Sequence, residues 1–287
     1  MGVNMKVVIT GADGQLGLAF QKELALRGIP FFGTDVSTCD ITSAASVTAL
    51  LDAQKPAVFI NCAAYNLVDD AETKQEAAFA VNAGAVSVLA QACAARGVKL
   101  VHYGTDYVFD GLKYDLYTET DTPQPLNVYG RSKLEGENAA RAGSPENLVL
   151  RTSWVYGEGK QNFLYKVAQW AQKNRILRIS ADEVSVPTSA EDLVLVTLKA
   201  LDLNLKGLYH LTSSGYASRY EMAKYFLKAA GLNVLVIPVP LSCFAPKVAR
   251  PLFSAMSSAK IAADTGLTIP HWQQGIDNYI KMSKAAI

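Results

Sequence analysis

Residues 10–17 read Thr10-Gly11-Ala12-Asp13-Gly14-Gln15-Leu16-Gly17. Lys6–Thr10 before them is a short apolar run, and Gln15–Arg27 after them has helical spacing that stops near Gly28. A strand that passes into a helix through three glycines is suited to hold a pyrophosphate. The turn needs a residue tolerant of positive φ, the phosphates need a backbone without a Cβ in the way, and the helix amino end offers unpaired N–H groups. Gly11, Gly14, Gln15, Leu16 and Gly17 are therefore candidate dinucleotide contacts.

Working outward, strand-like runs recur at Ile29–Thr34, Ala57–Asn61, Val98–Tyr103 and Leu148–Ser153. Helical segments fall between them at Ser43–Gln54 (with Thr42 as its candidate cap), at Lys74–Arg96 and near Asn127–Ala142. Strands alternating with helices in this way predict an α/β chain, a Rossmann-type doubly wound parallel sheet with helices on both faces. Asp35 follows the second strand, 18 positions past Gly17. An acid there accepts from adenosine ribose hydroxyls and repels a 2′-phosphate, and no arginine follows in Asp35-Val36-Ser37-Thr38, so NADH is favoured over NADPH. Asp40 and Ile41 lie where an adenine would rest, and Ala63, Ala64 and Tyr65 leave the third strand toward the cofactor crevice. The second half is less regular. Helices are expected at Phe163–Lys173, Ala190–Leu201, Arg219–Ala230, Ser258–Thr265 and Trp272–Lys284, with a strand at Leu208–Thr212. Residues 1–152 are read as the dinucleotide-binding domain, with a return segment near 178–201, and residues 153–287 as a smaller α/β substrate-binding domain.

Tyr129 and Lys133 stand four apart and share one helix face. A phenol has a reference pKa of about 10. A neighbouring ammonium favours the phenolate and makes the group a usable acid or base. Thr105 follows the fourth strand, whose carboxyl end faces the ligand crevice of such a sheet. Its hydroxyl can reach the carbonyl oxygen that Tyr129 would protonate. Thr105, Tyr129 and Lys133 thus form a coherent reductase set beside the glycine turn.

Composition narrows the alternatives. Of 287 residues, 50% are hydrophobic and 18% charged, enough apolar material for a sizeable core. A formal net charge of +1 gives no electrostatic case for nucleic acid or an anionic membrane. No uninterrupted run of 18 apolar residues predicts a membrane span. Four scattered cysteines and three unclustered histidines predict neither a disulfide framework nor a metal site, and fit a cytoplasmic setting. Met5 is a candidate start of the chain.

At these residues the chain resembles the extended short-chain dehydrogenase/reductases, and among them the dTDP-4-dehydrorhamnose reductases. The resemblance runs over nearly the whole length. It rests on TGADGQLG at 10–17, NCAAYNLVDDAE at 61–72, GTDYVFDG at 104–111, PLNVYGRSKLEGE at 125–137, RTSWVYG at 151–157, PTSAEDL at 187–193 and ARP at 249–251. It implies Thr105, Tyr129 and Lys133 as the catalytic set, with NADH or NADPH as reductant and the C4 keto group of a dTDP-6-deoxy-4-hexulose as target. Val68, Asp106, Tyr107, Trp154, Asn162 and Arg250 would line the substrate pocket, with Arg250 the cation for a diphosphate. The chain departs from the pattern at Gly104 (usually serine), at Asn66 (usually threonine) and in Asp182–Thr188, where DQxGxPT reads DEVSVPT. Some members bind magnesium at a homodimer contact through glutamates. Glu191 matches one such position, but Ala19 occupies another, so no metal is expected. Tyr107 stands where related dehydratases carry a glutamate, which argues against dehydration. Another nucleotide-sugar reductase, a 4-epimerase, or a non-catalytic NADP-binding subunit like that regulating methionine adenosyltransferase stays open.

Overall fold

The computed structural model describes residues 6–283, so the candidate start at Met5 and the end of the last expected helix at Lys284 lie outside the described residues. Its first half holds strands β1 (Val7–Thr10), β2 (Phe31–Thr34), β3 (Val58–Asn61), β4 (Lys99–Thr105) and β5 (Leu148–Thr152). Helices α1 (Gln15–Leu26), α2 (Ala44–Gln54), α3 (Val68–Ala71), α4 (Gln75–Phe79), α5 (Ala85–Ala94) and α6 (Val128–Gly143) connect them. The second half adds β6 (Val155–Tyr156), β7 (Ile176–Ser180), β8 (Val184–Ser185), β9 (Thr188–Ser189), β10 (Gly207–His210), β11 (Ala217–Ser218) and β12 (Leu235–Val239). Its helices are α7 (Phe163–Lys173), α8 (Ala190–Asp202), α9 (Arg219–Ala229), α10 (Ala259–Thr265) and α11 (Trp272–Ser283).

Six strands form one parallel sheet in the order β10-β5-β4-β3-β1-β2. The order reverses between β1 and β3. Helices leaving the two strands there go to opposite faces, and a crevice opens beyond their carboxyl ends. Successive side chains of a strand point to opposite faces. Accordingly Val7, Ile9, Val58 and Ile60 pack on one side with Phe20, Leu24 and Leu193 of α1 and α8. Val8 and Phe59 pack on the other with Val47 and Leu51 of α2 and Leu89 and Cys93 of α5. The Rossmann-type doubly wound reading therefore describes the fold.

Three local details differ from the sequence reading. Ser43, not Thr42, caps α2 by accepting from Ser46 N, because Thr42 is already bound to the Asp40 carboxylate. The long helix expected over 74–96 runs as α4 and α5 joined by a π turn at Ala80–Gly84. Asn82 in that turn is buried and bonds both the Tyr65 backbone and the Ser132 hydroxyl. By length and hydropathy alone Gln75–Ala94 could cross a bilayer, yet Ala85, Val86, Leu89, Ala90 and Cys93 are buried in the core. Of the 178–201 stretch, α8 lies against the large sheet, whereas β7 pairs with β12 and packs with α7, α9 and α11 in a separate core.

Candidate active site

Residues from the carboxyl edge of the sheet and from the smaller core enclose one cavity of about 840 Å³. Its floor is the glycine turn. Gly11 has φ of +66°, and a Cβ there would sit 2.7 Å from the Ala63 nitrogen; a Cβ at Gly17 would strike the Gly11 carbonyl. Asn61 ties the strand ends together, accepting from Thr10 Oγ1 at 2.8 Å and from Ala63 N at 3.2 Å while its amide meets His102 Nδ1 at 3.2 Å. Gln15 Oε1 accepts from Gly157 N, joining the turn to the opposite wall.

Thr105, Tyr129 and Lys133 all line this cavity, each less than a tenth exposed. Thr105 closes β4. Its hydroxyl accepts from Tyr107 N and donates to Asp106 Oδ1, both at 3.2 Å. Tyr129 and Lys133 sit in the first two turns of α6, which Asn127 caps by accepting from Gly130 N at 2.8 Å. The Asn127 amide also donates to Ala249 O, anchoring the loop that carries Arg250. Lys133 Nζ donates to Tyr103 O at 2.6 Å.

The electrostatics differ from the expected depression of Tyr129 by Lys133. Burial pushes the phenol up to about 12, with a Thr105 hydrogen bond pulling the other way and the Asp106 charge adding to the rise. Burial brings the Lys133 ammonium down to about 8, with the Glu137 charge opposing it. At neutral pH the site therefore holds a protonated phenol beside a charged but weakened ammonium. Below Lys133, Glu137 and Arg151 make two 2.7 Å contacts, with both side chains no more than 2% exposed. Arg151 also approaches His210 Nε2 at 3.3 Å and stacks on Phe109. Burial and that guanidinium bring His210 down to about 3, so it is neutral.

The cavity brings together Gly11, Gly14, Gln15, Leu16, Gly17, Ala63 and Ala64 on the cofactor side. Val68, Asp106, Tyr107, Trp154, Asn162 and Arg250 join them on the substrate side. Asp35, Asp40, Ile41 and Tyr65 are not in its wall. Asp35 accepts from Asp13 N at 3.3 Å at the outer edge of the glycine turn, Asp40 caps its own turn, Ile41 packs under the sheet, and the Tyr65 hydroxyl donates to Asp70. Two pocket residues are more engaged than the sequence suggested. Asn162 caps α7 with its oxygen and gives its amide to the Gly157 and Gly159 carbonyls. Arg250 NH2 meets both oxygens of Asp69, at 2.9 and 2.8 Å.

Several residues in or behind the cavity wall were not singled out from sequence. Ser185 and Ser254 both donate to Asp106 Oδ2, at 2.7 and 2.5 Å, and so tie the smaller half to the end of β4. Glu183, buried, faces the Tyr107 hydroxyl at 3.5 Å. The departures in Asp182–Thr188 pointed to Glu183 and Ser185. Nothing marked Ser254 or Arg219, because their partners are distant in sequence.

The family described as the RmlD substrate binding domain matches residues 5–285. The chain belongs to that family. Its relatives include the dTDP-4-dehydrorhamnose reductase of Sinorhizobium fredii, 35% identical over 94% of this chain and 95% of the relative. The corresponding reductase of Mycobacterium tuberculosis is 37% identical over 96% and 92%. A crystal structure of a dTDP-4-dehydrorhamnose reductase from Clostridium acetobutylicum superposes with a TM-score of 0.95 at 36% identity, over 98% of this chain and 100% of that one. The Bacillus anthracis enzyme, solved in complex with NADP, gives 0.94 at 33% identity over 97% and 99%. Both superpositions extend over nearly the whole of this chain.

Proposed function

We propose that this protein reduces the C4 keto group of a dTDP-6-deoxy-4-hexulose with NADH or NADPH, converting dTDP-4-dehydro-L-rhamnose to dTDP-L-rhamnose. The observation that carries the reading is the convergence of Thr105, Tyr129 and Lys133 in the cavity floored by the glycine turn. The names of the relatives, and the NADP held by the Bacillus anthracis enzyme, support the same reaction and cofactor class.

The cradle suits a dinucleotide: Gly11 and Gly17 leave no room for a Cβ, so the turn packs tightly on itself and on the end of β3, and with Gly14 it lines the cavity at the amino end of α1, where a pyrophosphate would sit. When bound, the reduced nicotinamide supplies the hydride that adds to the sugar's C4. Tyr129 gives its proton to the carbonyl oxygen. A phenol held protonated by burial is the form that reduction requires, and it returns to that form by taking a proton from solvent. Thr105 sits where its hydroxyl can orient the same oxygen. Lys133, fixed on the Tyr103 carbonyl, has further donors for a ribose hydroxyl.

Two outcomes follow from these groups. The Lys133 ammonium is charged well below pH 8, is half lost at about pH 8 and disappears as pH rises further. Dinucleotide affinity of the wild type is therefore expected to fall across that pH in a fluorescence titration, while Lys133→Met binds more weakly and shows no such step. A step that persists in the variant would assign it to another group. Asp35, held by Asp13 N at the edge of the turn, would meet a 2′-phosphate as a like charge. Asp35→Ser is expected to move the kcat/KM ratio toward NADPH by about tenfold, or ~1.4 kcal/mol. An unchanged ratio would remove Asp35 from cofactor selection.

The test of the function is NADH oxidation with dTDP-4-dehydrorhamnose. Turnover to a single reduced sugar supports the reductase. Tight dinucleotide binding with no turnover would support a binding subunit, and interconversion of nucleotide sugars without net oxidation a 4-epimerase.

A further inference from the structure

The cation expected to meet the substrate's diphosphate, Arg250, has its NH2 held by the half-exposed Asp69, while its buried Nε has no partner among the described residues. A different guanidinium is free. Arg219, the first residue of α9, lines the cavity from the smaller half and lies 3.5 Å from the centre of the Trp154 ring and 5.0 Å from that of Phe163. Its side chain makes no hydrogen bond or ion pair to any described residue. Two carboxylates face it without pairing with it. Asp106 is occupied by Ser185, Ser254 and Thr105, and Glu183 faces the Tyr107 hydroxyl.

The guanidinium carbon lies against the Trp154 ring while no described residue fills its N–H fork. A stacked arginine keeps its in-plane donors for a planar or tetrahedral oxyanion, and its fork matches phosphate oxygens better than a lysine does. Trp154, whose ring lies under Arg219, stands at φ of +42°, a region that bulky residues seldom adopt. Lys166 and Arg178 line the same wall, exposed and likewise without an acidic partner among the described residues. Three cations thus face one side of a cavity in a chain of net charge +1.

We propose that Arg219, stacked on Trp154 and backed by Lys166 and Arg178, is the diphosphate-binding group of this site and recognises a nucleoside diphosphate. The proposal rests on the nucleotide-sugar reading above and moves the diphosphate from Arg250 to Arg219, which shares Tyr107 and Glu183 with it as neighbours. Substrate then enters without having to break the Asp69–Arg250 pair.

The experiment is calorimetric titration of the full chain with dTDP, read beside its affinity for NADH. Wild type is expected to bind dTDP, and Arg219→Gln to bind it about 10- to 100-fold more weakly, as loss of hydrogen bonds to a charged group implies. Its NADH affinity should not change, which shows that the fold and cofactor site are intact. Arg219→Lys, which keeps the charge but not the fork, should recover only part of the loss, and Arg250→Gln should lose less than Arg219→Gln. Wild-type protein that takes up no dTDP would contradict the substrate class itself. Wild-type binding retained in Arg219→Gln, or lost mainly in Arg250→Gln, would overturn the assignment to Arg219.

Discussion

Tyr129→Phe is expected to lower kcat by about 10²–10⁴-fold, the range for removing a positioned general acid, while dinucleotide affinity stays near the wild-type value. The separation follows from where the hydroxyl lies. The Tyr129 ring packs edge-on against Tyr107, with centroids 5.6 Å apart, and belongs to a small core with Ala71, Ala78 and Val128. Phenylalanine keeps that packing and loses only the oxygen. No hydrogen bond of the surrounding backbone ends on that oxygen, so the helix that presents Lys133 should not shift. Steady-state kinetics beside a binding titration checks both halves. Turnover within a fewfold of wild type would transfer the proton to another donor, and a parallel loss of cofactor affinity would make the residue structural.

The second large effect is on stability. Glu137 stands one turn beyond Lys133 on α6 and takes both arms of Arg151 from β5, with neither side chain more than 2% exposed. Glu137→Gln would leave that guanidinium in the core with His210, neutral, as its remaining close polar neighbour. Breaking one side of a buried pair costs about 3–5 kcal/mol. For a chain of this size that corresponds to a fall in Tm of ~6 °C or more. Because the Glu137 charge also supports the Lys133 ammonium, the alkaline loss of dinucleotide affinity should begin at lower pH in the variant. Glu137→Gln combined with Arg151→Met, which removes both charges, should recover much of the stability. A single variant that melts with the wild type would show the pair to be dispensable.

The same buried pair bears on one departure from the family pattern. A Cβ at Gly104 would lie 3.1 Å from Arg151 Cγ and 3.5 Å from Glu137 Oε2, so the glycine gives the pair room at the strand end beside Thr105.

Much of this was legible in the sequence because it is local. The glycine turn, the i,i+4 spacing of Tyr129 and Lys133 and the apolar runs of β1 to β5 each signal themselves within a few residues. Apolar periodicity also located α7, α8 and α9 to within a residue. What could not be read was pairing between distant segments. Arg250 looked like a free cation because Asp69 lies 181 positions away, and Asp106 looked like an open pocket acid because Ser185 and Ser254 reach it only after the two halves meet. Arg219 carries no motif, and its significance comes from Trp154 lying under it. The state of Tyr129 was not legible for a related reason: the spacing shows that Lys133 is near, but not that the fold buries the phenol enough to hold it protonated.

The central claim is that a hydride and the Tyr129 proton together reduce a ketone at C4 of a nucleotide-linked sugar. It is tested most directly with reduced dinucleotide carrying deuterium at the transferable position, incubated with the protein and dTDP-4-dehydrorhamnose. A single deuteron on C4 of dTDP-rhamnose is the predicted result. A product free of label, label at another carbon, or no reduced sugar at all would contradict it.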